Sequence, residues 1–294
     1  MKLENIAIVL LNFNNYSITF ECLDYISSQD DKVPVLIVDN GSTNNSVFEI
    51  KNKIKNLENV SLLTLEQNLG FARGNNAGIS YFRNKGYENI FLMNSDIFLL
   101  DTDFITKIQN VQIPANVGVV GVAIIDKKDN NQNPIHSSDS IVRLYFQLLN
   151  LWRVKIGIPN MGVKTWINDF LRRKKPEKHL KTNPVSDMLL GKNQYLHGAA
   201  FILTKEYFKM FDGLYNRTFL YFEEPILYQM IKKAGMKMFY IDTLKVQHIE
   251  DQSSNTVFEK KSRVWINYSI NGLKELIRVR RMNLDTLKKF SKTQ

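Results

Sequence analysis

Short apolar runs, separated by polar residues, glycines and prolines, recur through the first third of the chain, with helical spacing between them. Residues 6–11 (IAIVLL) and 33–38 (VPVLIV) are β-branched runs bounded by Asn, Asp or Lys, the pattern of strands buried on both faces. Between them, residues 17–28 bring Ile18, Cys22, Tyr25 and Ile26 onto one helical face. Strand, helix and strand in that order predict a right-handed crossover and a parallel sheet. Residues 60–65 continue as a third strand, 71–84 as a second helix and 89–93 as a fourth strand, so the expected fold class is α/β.

Beyond that regular alternation the pattern loosens. Residues 126–136 (DKKDNNQNPIH) are polar and of low complexity and read as a surface loop separating two halves. Residues 141–158 interleave Tyr145, Phe146 and Trp152 with aliphatic and three basic residues, and 166–175 end in RRKK; both predict helices. The segment from Leu196 (LHGAAFILTKEYF) reads as a strand followed by a helix that the Thr204 hydroxyl caps. Residues 225–233 predict another helix, stopped by Gly235. Residues 238–241 and 245–247 are brief extended pieces leading to His248. After Glu250 the pattern turns helical, with Trp265, Tyr268, Leu273, Leu276 and Ile277 forming an imperfect apolar stripe among Lys and Arg.

A length of 294 residues, 44% hydrophobic and 23% charged, suits one large α/β domain with an appendage and excludes fibrous and disordered classes. Cys22 is the single cysteine, which rules out an intramolecular disulfide or a Cys-rich zinc site and suggests a reducing compartment. Residues 6–11 are too short to span a bilayer and Glu4 breaks a basic signal-peptide head, so a cytoplasmic location is expected. The formal charge of +10 is concentrated at the end, where residues 251–294 carry ten Lys/Arg against four Asp/Glu. Such an excess suits anionic lipid, nucleic acid or a diphosphate-bearing substrate alike.

Four clusters carry candidate chemistry. Asp39 ends the second strand in VDNGST, at a C-terminal tip where open parallel sheets bind ligands; the alternative is a simple Asp-Asn-Gly turn. In NLGFARGNNAG, Gly70, Gly74 and Gly78 punctuate a helix start whose N–H groups favour phosphate, with Arg73 available to a diphosphate or to Asp39. Asp96 closes the apolar run FLMNSD, where a carboxylate is costly unless it meets a cation or several donors; it reads as a ligand for Mg²⁺ or Mn²⁺, or else as a cap. Glu223 and Glu224 precede a helix, whose dipole favours the anion and leaves it ready to take a proton, or simply to cap. His248, alone, is a weak metal signal.

These segments in this order resemble the family 2 glycosyltransferases of GT-A fold, especially their bacterial rhamnosyltransferase-like branch. The resemblance runs from Ile6 to about Tyr268 through LNFNN with ECLDYI, VDNGST, NLGFARGNNAG, FLMNSD, HGAAFILTKEYF, GLYNRTFLYFEE and QHIEDQSS. It implies a GT-A (Rossmann-like), mostly parallel sheet flanked by helices over residues 1–250, with a donor half (1–125), an acceptor half (126–250) and a basic C-terminal helical extension (251–294). It implies nucleotide contacts from Asn12, Asn14, Asp39, Asn68, Arg73, Asn75 and Ser95, a Mn²⁺ or Mg²⁺ held by Asp96 and His248, and Glu224 as the general base of an inverting transfer. The expected partners are a dTDP- or UDP-linked sugar donor, with dTDP-rhamnose first, and a glycan acceptor carried on a lipid diphosphate.

Two departures bear on those roles. Asn94 stands where the metal motif's first Asp is usual, and Glu223-Glu224 with Ile226 replaces the usual Glu-Asp pair and its following acid. The C-terminal helix either rests on an anionic leaflet through Trp265 and Tyr268, giving peripheral contact with the inner face of the plasma membrane, or packs against the catalytic domain with its basic face solvated. Competing readings are a nucleic-acid-binding protein, which leaves Asp96 and the glutamate pair unexplained, and a non-catalytic sugar-nucleotide-binding subunit. Nucleotidyl transfer would need a basic N-terminal glycine loop, which LNFNN does not supply.

Overall fold

Runs that are apolar on both pleat faces become the central strands. The computed structural model describes residues 1–136, 140–158, 187–249 and 263–293. In it β1 (Ile6–Asn12), β2 (Val35–Asp39), β3 (Val60–Thr64) and β4 (Asn89–Asn94) pair in parallel in the order β3-β2-β1-β4. Helices α1 (Tyr16–Ser27), α2 (Ser46–Ile54) and α3 (Phe71–Asn84) make the crossovers. Because every parallel strand points the same way, Asn12, Asp39 and Asn94 arrive at one edge.

The sheet then continues past β4 into the second half of the chain. Strand β10 (Ala200–Leu203) runs antiparallel to both β4 and β6 (Val117–Ile125), and β11 (Lys237–His248) lies parallel to β6. Two short strands, β5 (Ile97–Phe98) and β8 (Met188–Leu189), pair antiparallel with β11, completing nine strands, while β7 (Ile135–His136) and β9 (Gln194–Tyr195) form a separate antiparallel pair. Parallel pairing thus dominates the first half, and an antiparallel strand joins it to the second. The two extended pieces expected before His248 are one strand, its register shifting between Ile241 and Lys245.

Helices cover both faces. One face buries α1 and α4 (Phe104–Asn110) on a core that includes Ile8, Leu10, Ile37 and Phe91. The other buries α3, α7 (Glu223–Lys233) and α8 (Arg263–Arg281), around Val9, Val38, Leu203, Tyr207, Met230 and Leu273. Close contact there depends on glycine: a Cβ at Gly74 would lie 2.8 Å from Leu11 Cδ1, and one at Gly78 2.5 Å from Val9 Cγ1. These glycines let α3 settle onto the sheet. Thr204 caps α6 (Lys205–Phe208) as expected, accepting from the N–H groups of Glu206 and Tyr207.

The C-terminal segment is part of this core. In α8, Ile266, Ile270, Leu273, Leu276 and Val279 are buried, and α9 (Leu284–Phe290) follows it. Glu275 is buried as well, accepting from Tyr215 Oη at 2.5 Å and from Arg278 at 3.0 Å. Trp265 and Tyr268 are half-buried, Tyr268 stacking on Phe219 and Trp265 meeting Tyr221 edge-on. No helix among the described residues is long and apolar enough to cross a membrane. The helix expected at 166–175 lies outside the described residues.

Candidate active site

The β1 and β2 tips form one hydrogen-bonded unit. Asp39 is fully buried; its Oδ2 accepts from Asn12 Nδ2 at 2.7 Å and Ser42 Oγ at 2.6 Å, and its Oδ1 from the Ser42 N–H at 2.9 Å. Asn12 is oriented in turn by Thr19, whose hydroxyl donates to its Oδ1. Asn14, with φ of 55°, receives the Thr43 N–H on its Oδ1 and donates its own N–H to Ser42 Oγ. Next to this unit, Asn68 Oδ1 accepts from Asn40 Nδ2 and from the Gly70 N–H. The tight approach at Gly41 (φ 72°) is to the chain itself, since a Cβ there would lie 2.2 Å from the Gln67 carbonyl carbon.

The start of α3 departs from the phosphate-cradle expectation. The Phe71 N–H already donates to the Phe219 carbonyl at 2.8 Å, and a Cβ on Gly70 (φ 81°) would lie 2.2 Å from that same oxygen. Arg73 is exposed and donates through Nε to the Leu69 carbonyl; no ion pair joins it to Asp39 among the described residues. Asn75 is buried and donates to the Phe71 carbonyl within its own helix.

At the β4 tip the chemistry differs. Ser95 and Asp96 are both buried, and Asp96 Oδ1 has no hydrogen-bond partner. Its Oδ2 lies 3.5 Å from His248 Nε2 at the end of β11, while the Asp96 backbone carbonyl accepts from the Ile249 N–H. His248 Nδ1 meets Gln132 Oε1 at 2.8 Å. With Nδ1 donating to that oxygen, the Nε2 lone pair faces a carboxylate, and two acceptors at this separation call for a proton or a cation between them. Gln132 and Asn133, which also receives the His197 N–H at 2.7 Å, belong to the loop expected to be a plain surface connection. It positions this site instead.

The HGA segment links the acids. The Ala199 carbonyl accepts from Asn94 N–H, the His197 ring lies edge-on to His248 at 5.6 Å, and a Cβ on Gly198 would lie 2.9 Å from Glu224 Oε1. Asp96 and the glutamate pair therefore flank the same three residues. Beside them, a pocket is lined by Phe71, Leu196, Gly198, Leu214, Thr218 and Glu224 among others. Glu223 Oε1 is enclosed without a partner, and burial first, then the neighbouring Glu224 carboxylate, push the Glu223 carboxyl up to about 8. Glu223 accordingly holds its proton at neutral pH.

Sequence reasoning gave no warning of the backbone before α7. Tyr221 and Phe222 have φ of 75° and 70°, the left-handed region that side-chain-bearing residues avoid. The turn is held by α8: a Cβ on Gly272 would lie 2.4 Å from the Tyr221 carbonyl oxygen, and Trp265 packs on the Tyr221 ring. Such strain, of about 1–3 kcal/mol per residue, persists only where surrounding structure enforces it.

A family model described as glycosyl transferase family 2 matches residues 7–177, more than half of the chain. The chain belongs to glycosyl transferase family 2. This glycosyltransferase is 32% identical over 101 residues to the dTDP-rhamnosyl transferase RfbF of Shigella flexneri. The match covers 34% of the chain and 32% of RfbF, so the chain spans about a third of that relative's length. Its fold is similar to that of a mannosyltransferase from Pyrobaculum calidifontis, solved with GDP-Man and Mn²⁺, at a TM-score of 0.52 and 14% identity, over 85% of this chain and 58% of that one. It is similar too to GalNAc-T7, solved with UDP, GalNAc and Mn²⁺, at a TM-score of 0.60 and 10% identity, over 93% and 47%.

Among the described residues no group of three or more His, Cys, Asp or Glu side chains comes together as a closed cage. Asp96 and His248 offer one buried, donor-free carboxylate oxygen and one imidazole nitrogen. That pair fits a hard cation completing its shell with phosphate oxygens and water, as Mg²⁺ and Mn²⁺ do.

Proposed function

We propose that this transferase moves a sugar, rhamnose from dTDP-rhamnose first and a UDP-linked hexose next, onto a glycan hydroxyl with inversion at the anomeric carbon. The acceptor is read as lipid-diphosphate-linked and the pathway as bacterial surface polysaccharide synthesis, with work at the inner face of the plasma membrane. The observation that carries the transfer reading is the donor-free Asp96 carboxylate beside His248, joined through residues 197–199 to Glu224. The RfbF likeness supports the choice of rhamnose.

In this reading Asp96 and His248 hold Mn²⁺ or Mg²⁺, which when bound offsets charge growing on the leaving diphosphate. The tips carrying Asn12, Asn14, Asp39 and Asn68 set a rigid floor for the nucleoside, with Ser95 at its end and Arg73 facing the diphosphate from the rim. Asn75 contributes by fixing the first turn of α3. Residues 1–125 serve the donor and 126–250 the acceptor. Glu224 takes the proton from the attacking hydroxyl. Glu223, kept neutral, spares it a second negative charge alongside; two adjacent ionised carboxylates would raise each other's proton affinity. Gly198 leaves room for Glu224 and for the acceptor.

The test is to offer the full chain a panel of sugar nucleotides with Mn²⁺ and measure release of the free nucleoside diphosphate. Release is expected to be strongest from dTDP-rhamnose, to stop with chelator and to vanish in Asp96→Ala. Equal release by Asp96→Ala and the parent would defeat the site assignment, and a proton spectrum showing retained anomeric configuration in the product would defeat the inverting step.

A further inference from the structure

Helix α5 (Ile141–Lys155) shows two apolar faces. Inward, Leu144 is buried and Ile141, Leu148 and Leu151 pack on the core. Outward, Val142, Tyr145, Phe146, Leu149 and Trp152 stand exposed at spacings of three and four, and Ile156 and Ile158 extend the patch past the helix end. Residues 142–158 hold eight of the thirteen large hydrophobic side chains exposed among the described residues, with Leu149 58% and Ile156 62% exposed. A surface helix ordinarily turns polar residues outward; this one does so only in part.

The edge of the patch is basic. Helix α8 runs antiparallel alongside: Arg281 donates to Tyr145 Oη at 2.7 Å and, two turns earlier in α8, Lys274 lies 5.2 Å over the Trp152 ring. Exposed Lys274, Arg278 and Arg281 thus form a stripe beside the apolar one, and Lys155 lies over Trp152 from α5 itself. No acidic residue occurs in α5, and the only one in α8, Glu275, is buried and paired.

We propose that the outward face of α5, edged by the Lys274-Arg278-Arg281 stripe of α8, docks on an anionic phospholipid surface. Aromatic and aliphatic side chains enter the headgroup boundary while the flanking cations meet lipid phosphates. Charge decides against a second copy of the chain as occupant, because a twofold contact through this patch would set each basic stripe near its twin. The surface is distinct from the Trp265 and Tyr268 rings of the C-terminal helix, which pack on Tyr221 and Phe219. It deepens the lipid-linked-acceptor reading and rests on that reading only for its purpose: α8 packs on α7, which carries the glutamate pair, so docking here sets the base at a fixed height over the leaflet.

The experiment is co-sedimentation of the full chain with vesicles of phosphatidylcholine alone or mixed with phosphatidylglycerol, with sugar-nucleotide turnover measured on the same samples without vesicles. The parent is expected to sediment with the mixed vesicles only, and less so at high salt. Phe146→Asp with Leu149→Asp should lower partitioning about tenfold or more. Lys274→Gln and Arg281→Gln should each lower it about fivefold. All should keep the parent's thermal midpoint and solution turnover. If the double Asp variant fails to fold, Leu149→Gln decides, and vesicle binding equal to the parent's overturns the proposal. So does a parent that stays in the supernatant, or a concentration-dependent dimer that the Asp substitutions abolish. Vesicle binding without any turnover would instead count against the transfer reading and leave the docking surface standing.

Discussion

Two aspartates lie at the ends of the strands flanking β1, Asp39 as the last residue of β2 and Asp96 in the turn just past β4; both are buried, and they are treated in opposite ways. Asp39 receives three donors from Asn12 and Ser42 and needs nothing from outside the chain. Asp96 has one oxygen with no donor, and its other oxygen lies 3.5 Å from His248 Nε2. A buried carboxylate that lacks donors costs several kcal/mol, a penalty that a bound cation removes. One tip is finished architecture, while the other has its electrostatics left open for a ligand. Burial alone, equal in both, could not have told them apart.

The largest effect expected from breaking that contrast is at Asp96. Asp96→Ala should lower turnover by about a thousandfold, on the order of 4 kcal/mol of barrier. Its thermal midpoint without metal should equal or exceed the parent's, and Mn²⁺, which should raise the parent's midpoint, should not move the variant's. Glu224→Gln should lower turnover about a hundredfold or more with Mn²⁺ stabilisation intact, separating proton transfer from metal binding. Asp39→Ala should reverse the pattern, with a stability loss of about 2–3 kcal/mol in denaturant titration as the donors of Asn12 and Ser42 lose their acceptor.

The smallest effect concerns Glu223, whose carboxyl is raised from the ordinary 4.5 to about 8. The folded chain then binds a proton that the unfolded chain has lost, so the group's stabilisation is full below its ordinary value and disappears as pH rises through about 8. Glu223→Gln should flatten the stability profile between those limits and be more stable than the parent at the alkaline end. Parallel profiles for the two would refute the burial of this carboxyl.

Sequence legibility followed burial on both faces. Strands β1 to β4 and α3 were readable because their apolar runs are unbroken or strictly helical in spacing. Strand β6 is absent from the sequence reading although fully apolar: Gly118 and Gly121 interrupt its β-branched residues to admit Ile231, Met236 and Leu196. Helix α2 is equally absent, since only Ser46 and Ile50 along it are buried and its polar surface carries no stripe. The placement of Asp39 at a strand tip and of Glu224 at a helix start was legible, while His248 drew notice only through the family resemblance. The roles of Gln132, Asn133 and His197 were not legible, because each acts through a contact between segments far apart in the chain. The positive φ of Tyr221 and Phe222 left no mark either, as neither residue type favours it.

The joint between α3 and the segment before the glutamates bears on any attempt at redesign. Asn76 bonds both the N–H and the carbonyl of Leu214, and Phe71 N–H grips the Phe219 carbonyl over a glycine too small to obstruct it. A chimera that imports a foreign loop at 213–222 must therefore bring matching carbonyls for Phe71 and Asn76. Otherwise, any change in that loop would also loosen the start of α3.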